Sequence, residues 1–170
     1  MGETPENIKK HQKFSKGAFE IVTNAKNREQ VIQDLSVYFK EKLTEMPDVK
    51  PKDMNEDDFI NTQIDGLESP WMYYFIRYDP YLVLKDVKCP VLAINGSKDL
   101  QVPATVNLEA IKKGLEAGGN KNVTTKELPN LNHLFQECTT GSPEEYAKIE
   151  QTFSPVALNE VLNWVLKQVK

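Results

Sequence analysis

The sequence predicts an α/β protein in which a helical segment precedes a short parallel β lobe flanked by helices. Up to about residue 66, apolar side chains recur at helical spacing. From residue 87 the pattern changes to strand, helix, strand, loop and helix, an order typical of a parallel strand pair joined by a crossover. We therefore divide the chain into a helical segment, residues 1–68, and a lobe with both strands, residues 69–170.

Composition bounds the partners of the chain. Its 170 residues suffice for one core plus a small appendage, and the net charge of −4, with lysines interleaved among acids, disfavours nucleic acid as a partner. No apolar run approaches the roughly 18 residues of a membrane span, and the polar N-terminus has no signal-peptide pattern. We expect a soluble chain with no membrane partner, cytoplasmic by default unless an upstream signal was removed.

Three helices are predicted in the first segment, over about 5–25, 28–46 and 55–66. The first begins with Thr4 as cap and Pro5 in the first turn, positions that both residue types favour. Met46-Pro47 ends the second helix, because proline cannot continue it. The aromatic-rich stretch 69–78 follows, and we interpret it as core packing, with a pocket wall as the alternative.

The second half contains the two predicted strands. Val91–Ile94 is continuously apolar, which is typical of a strand buried on both faces. Pro103 begins an amphipathic helix that Gly118-Gly119 ends, and the β-branched run Val123–Leu128 forms the second strand. Ser154 precedes a proline and caps the final helix, which has an apolar side.

Asp99 and His133 each follow the carboxyl end of a predicted strand. Taken singly, Asp99 could be a turn aspartate that binds nearby backbone amides, and His133 could be an ordinary surface histidine. Because neighbouring parallel strands end at the same sheet edge, both side chains are expected to project over it. The sequence therefore predicts an Asp-His pair, in which the acid orients an imidazole that moves protons.

The chain resembles the C-terminal part of α/β-hydrolase-fold serine hydrolases, in particular the bacterial esterase and dipeptidyl-peptidase-like group. Three segments carry the resemblance: CPVLAINGSKDLQVP at 89–103, LPNLNHLFQ at 128–136, and VLNWV at 161–165. It implies that Asp99 is the acid and His133 the base of a catalytic triad. It further implies that the helical segment is a cap, that the fold is a partial α/β-hydrolase fold, and that no cofactor or metal is needed. The implied reaction is hydrolysis of carboxylic esters or related acyl bonds in a small-molecule acyl substrate.

The sequence departs from this family in one respect. No Gly-x-Ser-x-Gly occurs in the 170 residues, so the elbow serine and the oxyanion-hole loop of the family are missing. We expect a C-terminal portion of a longer enzyme that is inactive alone. Two alternatives stay open: a noncatalytic interaction or regulatory module, and a small enzyme that uses Cys138 or a serine outside any elbow.

The predicted lobe also bears on assembly and on metal binding. A buried-type strand at Val91–Ile94 that lacks its other neighbours would leave an unpaired edge. We therefore expect self-association, through edge pairing or exchange of cap helices. Glu144 and Glu145 lie near the His133 loop, but adjacent helical residues point in different directions, which argues against a metal site.

Overall fold

The structure of the chain is a computed structural model that describes residues 4–169. The chain divides into two compact units, with the division between Tyr78 and Asp79. We call residues 4–78 the helical unit and residues 79–169 the α/β unit. The boundary predicted from the sequence lies ten residues earlier, at 68/69. The intervening residues include a helix, Pro70–Arg77, that contacts other helices of the helical unit.

The helical unit consists of four α-helices and a short 3₁₀ helix. Their bounds are α1 Pro5–Asn24, α2 Arg28–Glu45, 3₁₀ Pro47–Val49, α3 Glu56–Glu68 and α4 Pro70–Arg77. The three predicted helices are confirmed. Polar caps explain their starts: Thr4 Oγ1 accepts from the Asn7 amide at 3.2 Å, and Asn55 Oδ1 accepts from the Asp58 amide at 2.8 Å.

The core of the helical unit lies among α1, α2 and α3. Its buried side chains are Phe14, Ala18, Val22, Ala25, Val31, Leu35, Phe39, Leu43, Phe59, Ile60 and Ile64. From α4, Tyr73 and Ile76 pack against this core, whereas Trp71, Tyr74 and Phe75 are 60% exposed or more. The expectation of core packing for the aromatic stretch is therefore wrong for these three residues, because α4 turns only one face toward the other helices.

The α/β unit has a mixed architecture with a small parallel sheet. Its elements are α5 Pro80–Leu84, β1 Val91–Gly96, α6 Ala104–Ala117, β2 Val123–Leu128, 3₁₀ Pro143–Lys148 and α7 Pro155–Gln168. β1 and β2 pair in parallel, in a register that runs from Val91 opposite Val123 to Gly96 opposite Leu128. The predicted order of strand, helix, strand, loop and helix is confirmed, which is consistent with the α/β class.

β1 is less buried than its sequence predicts. Residues 91–95 are all half-buried, although the apolar run indicated a strand covered on both faces. Among residues 4–169 the sheet has only two strands, and the buried apolar cluster beside it is small, consisting of Leu128, Leu131 and Ala157. In α7, Leu158 and Leu162 are more than half exposed. The covering layers that this strand pattern implies are thus incomplete within the described residues.

Across the described residues, every helix is too short or too polar to cross a lipid bilayer.

Candidate active site

Asp99 lies in the turn between β1 and α6, and its side chain is only 5% exposed. The turn itself folds the carboxylate back onto the backbone. Asp99 Oδ1 accepts hydrogen bonds from the amides of Gln101 at 2.9 Å and Val102 at 2.8 Å. This is the local bonding expected of a turn aspartate. It uses only one of the two carboxylate oxygens, so the other is available for a partner.

That partner is His133. Asp99 Oδ2 lies 2.9 Å from His133 Nδ1 and also accepts from Asn95 Nδ2 at 3.0 Å. The structure therefore brings together the two residues that the sequence analysis selected. The His133 side chain is 38% exposed, so the pair combines a buried carboxylate with an imidazole that solvent can reach.

The protonation of the pair follows from the environment of Asp99. Burial of the carboxylate acts to raise the pKa of Asp99. The hydrogen bonds from the Val102 amide, from His133 and from the Gln101 amide act in the opposite direction and outweigh burial. The pKa of Asp99 therefore lies below its ordinary value. An ionised carboxylate only accepts hydrogen bonds. An ionised Asp99 favours the tautomer of His133 that carries its hydrogen on Nδ1, and in that tautomer Nε2 has the lone pair that a general base uses.

The loop that presents His133 is organised by its neighbour Asn132, which is fully buried. Asn132 Oδ1 accepts from the amides of Leu134 and Gln136, both at 2.9 Å. Asn132 Nδ2 donates to Gln136 Oε1 at 3.0 Å. These bonds close the loop on itself around the Asn132 side chain, so that the adjacent His133 side chain faces outward.

Backbone contacts join the Asp99 turn to the His133 loop. The Lys98 amide donates to Leu131 O at 3.0 Å, and the Asn130 amide donates to Ser97 Oγ at 2.9 Å. A side chain at Gly96 would meet this contact directly, since a Cβ there would lie 2.2 Å from Leu131 O. The Ser97 side chain thus helps to hold the His133 loop against the Asp99 turn.

Asn95 and Asn132, whose side-chain amides contact the pair and its loop, were not predicted from the sequence. The available signal was a polar residue at the end of an apolar strand and a second one directly before the histidine. Asparagine also occurs at such positions simply as a turn former. Its pairing could not be inferred without the geometry of the turns.

Cys138 is not set up as a nucleophile. Its thiol donates to Asn130 O at 3.4 Å, and burial, with a further contribution from Glu145, raises the pKa of Cys138. Because the reactive species is the thiolate, a raised pKa lowers its abundance at neutral pH. The Glu145 carboxylate accepts from the amides of Thr140 and Gly141 and so supports the loop. Within the part of the chain that the structure describes, no three His, Cys, Asp or Glu side chains gather into a metal-binding cluster.

Comparison with known proteins gives one finding of similarity. The chain is 27% identical over 161 residues to Esterase EstD of Thermotoga maritima. The aligned region covers 89% of this chain but 37% of EstD, so the chain spans little more than a third of the length of this relative. No family profile matches the sequence, and no solved structure matches it either. The similarity indicates an esterase-like relative.

Proposed function

We propose that this chain supplies the acid and the base of a serine-type hydrolase that acts on carboxylic esters or related acyl bonds. The observation that carries the proposal is the 2.9 Å contact between Asp99 Oδ2 and His133 Nδ1, with the acid buried and the imidazole accessible. The similarity to an esterase supports the choice of acyl chemistry. No cofactor takes part in the proposed reaction.

In the proposed mechanism each member of the pair has one role. His133 Nε2 takes the proton of a serine hydroxyl as that oxygen attacks the acyl carbon, and later returns it to the leaving group. Asp99 keeps the hydrogen on Nδ1 and stabilises the imidazolium that forms. The serine comes from outside these 170 residues, because no Gly-x-Ser-x-Gly occurs in them. The chain alone is therefore expected to be inactive.

The helical unit is proposed to be the cap of this enzyme. Its support is positional: four α-helices precede the acid and histidine loops along the chain, as the family resemblance implies. The substrate screen for this proposal covers ester, thioester, amide and peptide bonds.

The first experiment treats the chain with a fluorophosphonate probe and, in parallel, with iodoacetamide, and then measures intact mass. We expect no stoichiometric fluorophosphonate adduct. A stoichiometric adduct would show that the chain holds its own activated serine, and peptide mapping would identify it. Rapid alkylation of Cys138 that depends on His133 would instead favour the thiol alternative.

The second experiment tests the proposed reaction directly. A chimera in which this chain replaces the aligned segment of EstD is assayed on p-nitrophenyl esters, after circular dichroism has shown that it folds. We expect hydrolysis that His133→Ala or Asp99→Asn lowers by roughly a thousandfold or more, and that the control Lys113→Ala, a change at an exposed position of α6, leaves unchanged. A folded chimera that is inactive, or equally active with His133→Ala, would favour the noncatalytic interaction module.

Self-association is a separate proposal about the chain as it stands. β1 pairs with β2 on one edge, and no other strand of residues 4–169 pairs with it on the opposite edge. Because an open, apolar edge is a template for strand pairing, we expect dimers or larger species. Sedimentation velocity at high micromolar concentration measures this, and a clean monomer would count against it.

A further inference from the structure

Asn95 is the one polar side chain of β1, whose other residues from Val91 to Gly96 are apolar or glycine. Its amide nitrogen donates two hydrogen bonds, one to Asp99 Oδ2 and one to Val102 O, both at 3.0 Å. A primary amide has two N–H groups, so both are used. The side chain therefore bridges the functional carboxylate and the backbone at the far end of the same turn.

This bridge fixes the orientation of the carboxylate. The amides of Gln101 and Val102 hold Asp99 Oδ1, and Asn95 holds Oδ2, so rotation about the bond to the carboxyl carbon is opposed at both oxygens. Val102 takes part twice, since its amide donates to Asp99 and its carbonyl accepts from Asn95. Asn95, Asp99 and Val102 thus form a closed ring of hydrogen bonds at the start of α6.

The ring leaves one direction open at Asp99 Oδ2, and His133 Nδ1 occupies it at 2.9 Å. We infer that Asn95 is a positioning residue that presents Asp99 Oδ2 to the imidazole and thereby fixes the Nδ1–H tautomer of His133. It acts through Asp99 and does not touch the reacting atoms. The catalytic meaning of this inference rests on the proposed function, whereas the hydrogen-bond arrangement can be tested without any activity.

The test is NMR of the full chain with ¹⁵N-labelled histidine. The sequence has two histidines, so loss of one set of signals in His133→Asn assigns the other set to His11. In the wild type we expect ring nitrogen shifts of the Nδ1–H tautomer for His133 and a Nδ1–H proton protected from exchange. In Asn95→Leu, which keeps the size but removes both donors, we expect that proton signal to be lost and the Nδ1–H population to fall severalfold.

The matched control is Asn107→Leu, since the Asn107 side chain belongs to the same unit but donates to Pro103 O, not to Asp99. We expect it to leave the His133 signals unchanged, as the His11 signals should be in every variant. Asn95→Ser keeps a single, shorter donor and should give a partial loss. It also carries the test if Asn95→Leu does not fold.

A folded Asn95→Leu or Asn95→Ser with the wild-type tautomer and Nδ1–H signal would overturn the inference. Unfolding of both variants would overturn it as well, because Asn95 would then be a structural residue of the unit. Failure of the proposed function is a different result: an inactive chimera in which Asn95 still controls the His133 tautomer.

Discussion

The two units of this chain differ in the polar side chains that they bury. The helical unit has one continuous apolar core built from α1, α2 and α3. All the buried polar side chains of the described residues lie in the α/β unit: Asp99, Asn120, Asn132, Gln136 and Ser154. Its apolar cluster beside the sheet is small by comparison. The helical unit is therefore held together mainly by apolar burial, and the end of the α/β unit that holds Asp99 and His133 mainly by hydrogen bonds.

This difference matches the properties of the two kinds of interaction. Apolar burial is roughly proportional to area and has no preferred direction, so it stabilises helices without fixing single atoms. Hydrogen bonds are directional, and they hold both ends of β1. Asn120 donates to the carbonyls of Val87 and Cys89 before the strand, and Asn95 donates to Asp99 after it. A unit that must hold Asp99 Oδ2 toward an imidazole needs the second kind of interaction.

The largest expected effect is in the helical core. Phe39 is 1% exposed and stacks on Phe14 with ring centroids 5.2 Å apart. Phe39→Ala removes this burial and leaves a cavity, so we expect the free energy of unfolding to fall by about 3–5 kcal/mol. Urea unfolding followed by circular dichroism measures it. The control is Phe19→Ala, because Phe19 is 43% exposed and should cost little.

The same variant separates the two units. In the fraction of Phe39→Ala that stays folded, the His133 Nδ1–H signal should match that of the wild type, because every bond that fixes it lies in the α/β unit. If the folded variant lacks this signal, apolar packing in the helical unit also determines the Asp-His geometry. The two units would then not be stabilised independently.

The next largest expected effect is a difference in stability between alanine substitutions at two glycines, one in each unit. Gly96→Ala would place a Cβ against Leu131 O, a backbone atom that can yield only if the His133 loop shifts. We expect a loss of about 1–3 kcal/mol and altered His133 resonances. Gly66→Ala in α3 meets nothing within 4 Å, so helix propensity should dominate and stabilise the chain by about 0.5–1 kcal/mol. Equal effects of the two changes on thermal unfolding would show that the close approach at Gly96 can relax.

The parts of this structure that sequence predicts are those determined locally. Thr4 and Met46-Pro47 delimit helices because caps and proline act on adjacent backbone. The half-burial of β1 was not predictable, since it depends on how many strands and helices cover it and not on its own residues. The hydrogen bonds of Asn95 were not predictable for a similar reason. Its partners lie four and seven residues away and meet it only once the turn has formed.

The smallest expected effect is the pH dependence of stability, which can be compared between a carboxylate of each unit. Asp99 has an ordinary pKa of 3.8 and a lower pKa in the folded chain, so the unfolded chain binds the proton first as pH falls. The stabilisation from its hydrogen bonds is therefore complete well above pH 3.8 and is lost as pH drops through the lowered value. Urea unfolding at a series of pH values should show that the free energy of unfolding falls less steeply with decreasing pH in Asp99→Asn than in the wild type.

In the helical unit, Glu45 provides the matched comparison. A hydrogen bond from Lys42 lowers the pKa of Glu45 too, but that carboxylate is 57% exposed. Salt screens exposed charges far more than buried ones. We therefore expect high salt to abolish the difference between Glu45→Gln and the wild type and to preserve the difference for Asp99→Asn. If high salt also removes the contribution of Asp99 to the free energy of unfolding, solvent reaches the carboxylate. The hydrogen bonds of the Asp-His pair would then not exclude water from its buried side.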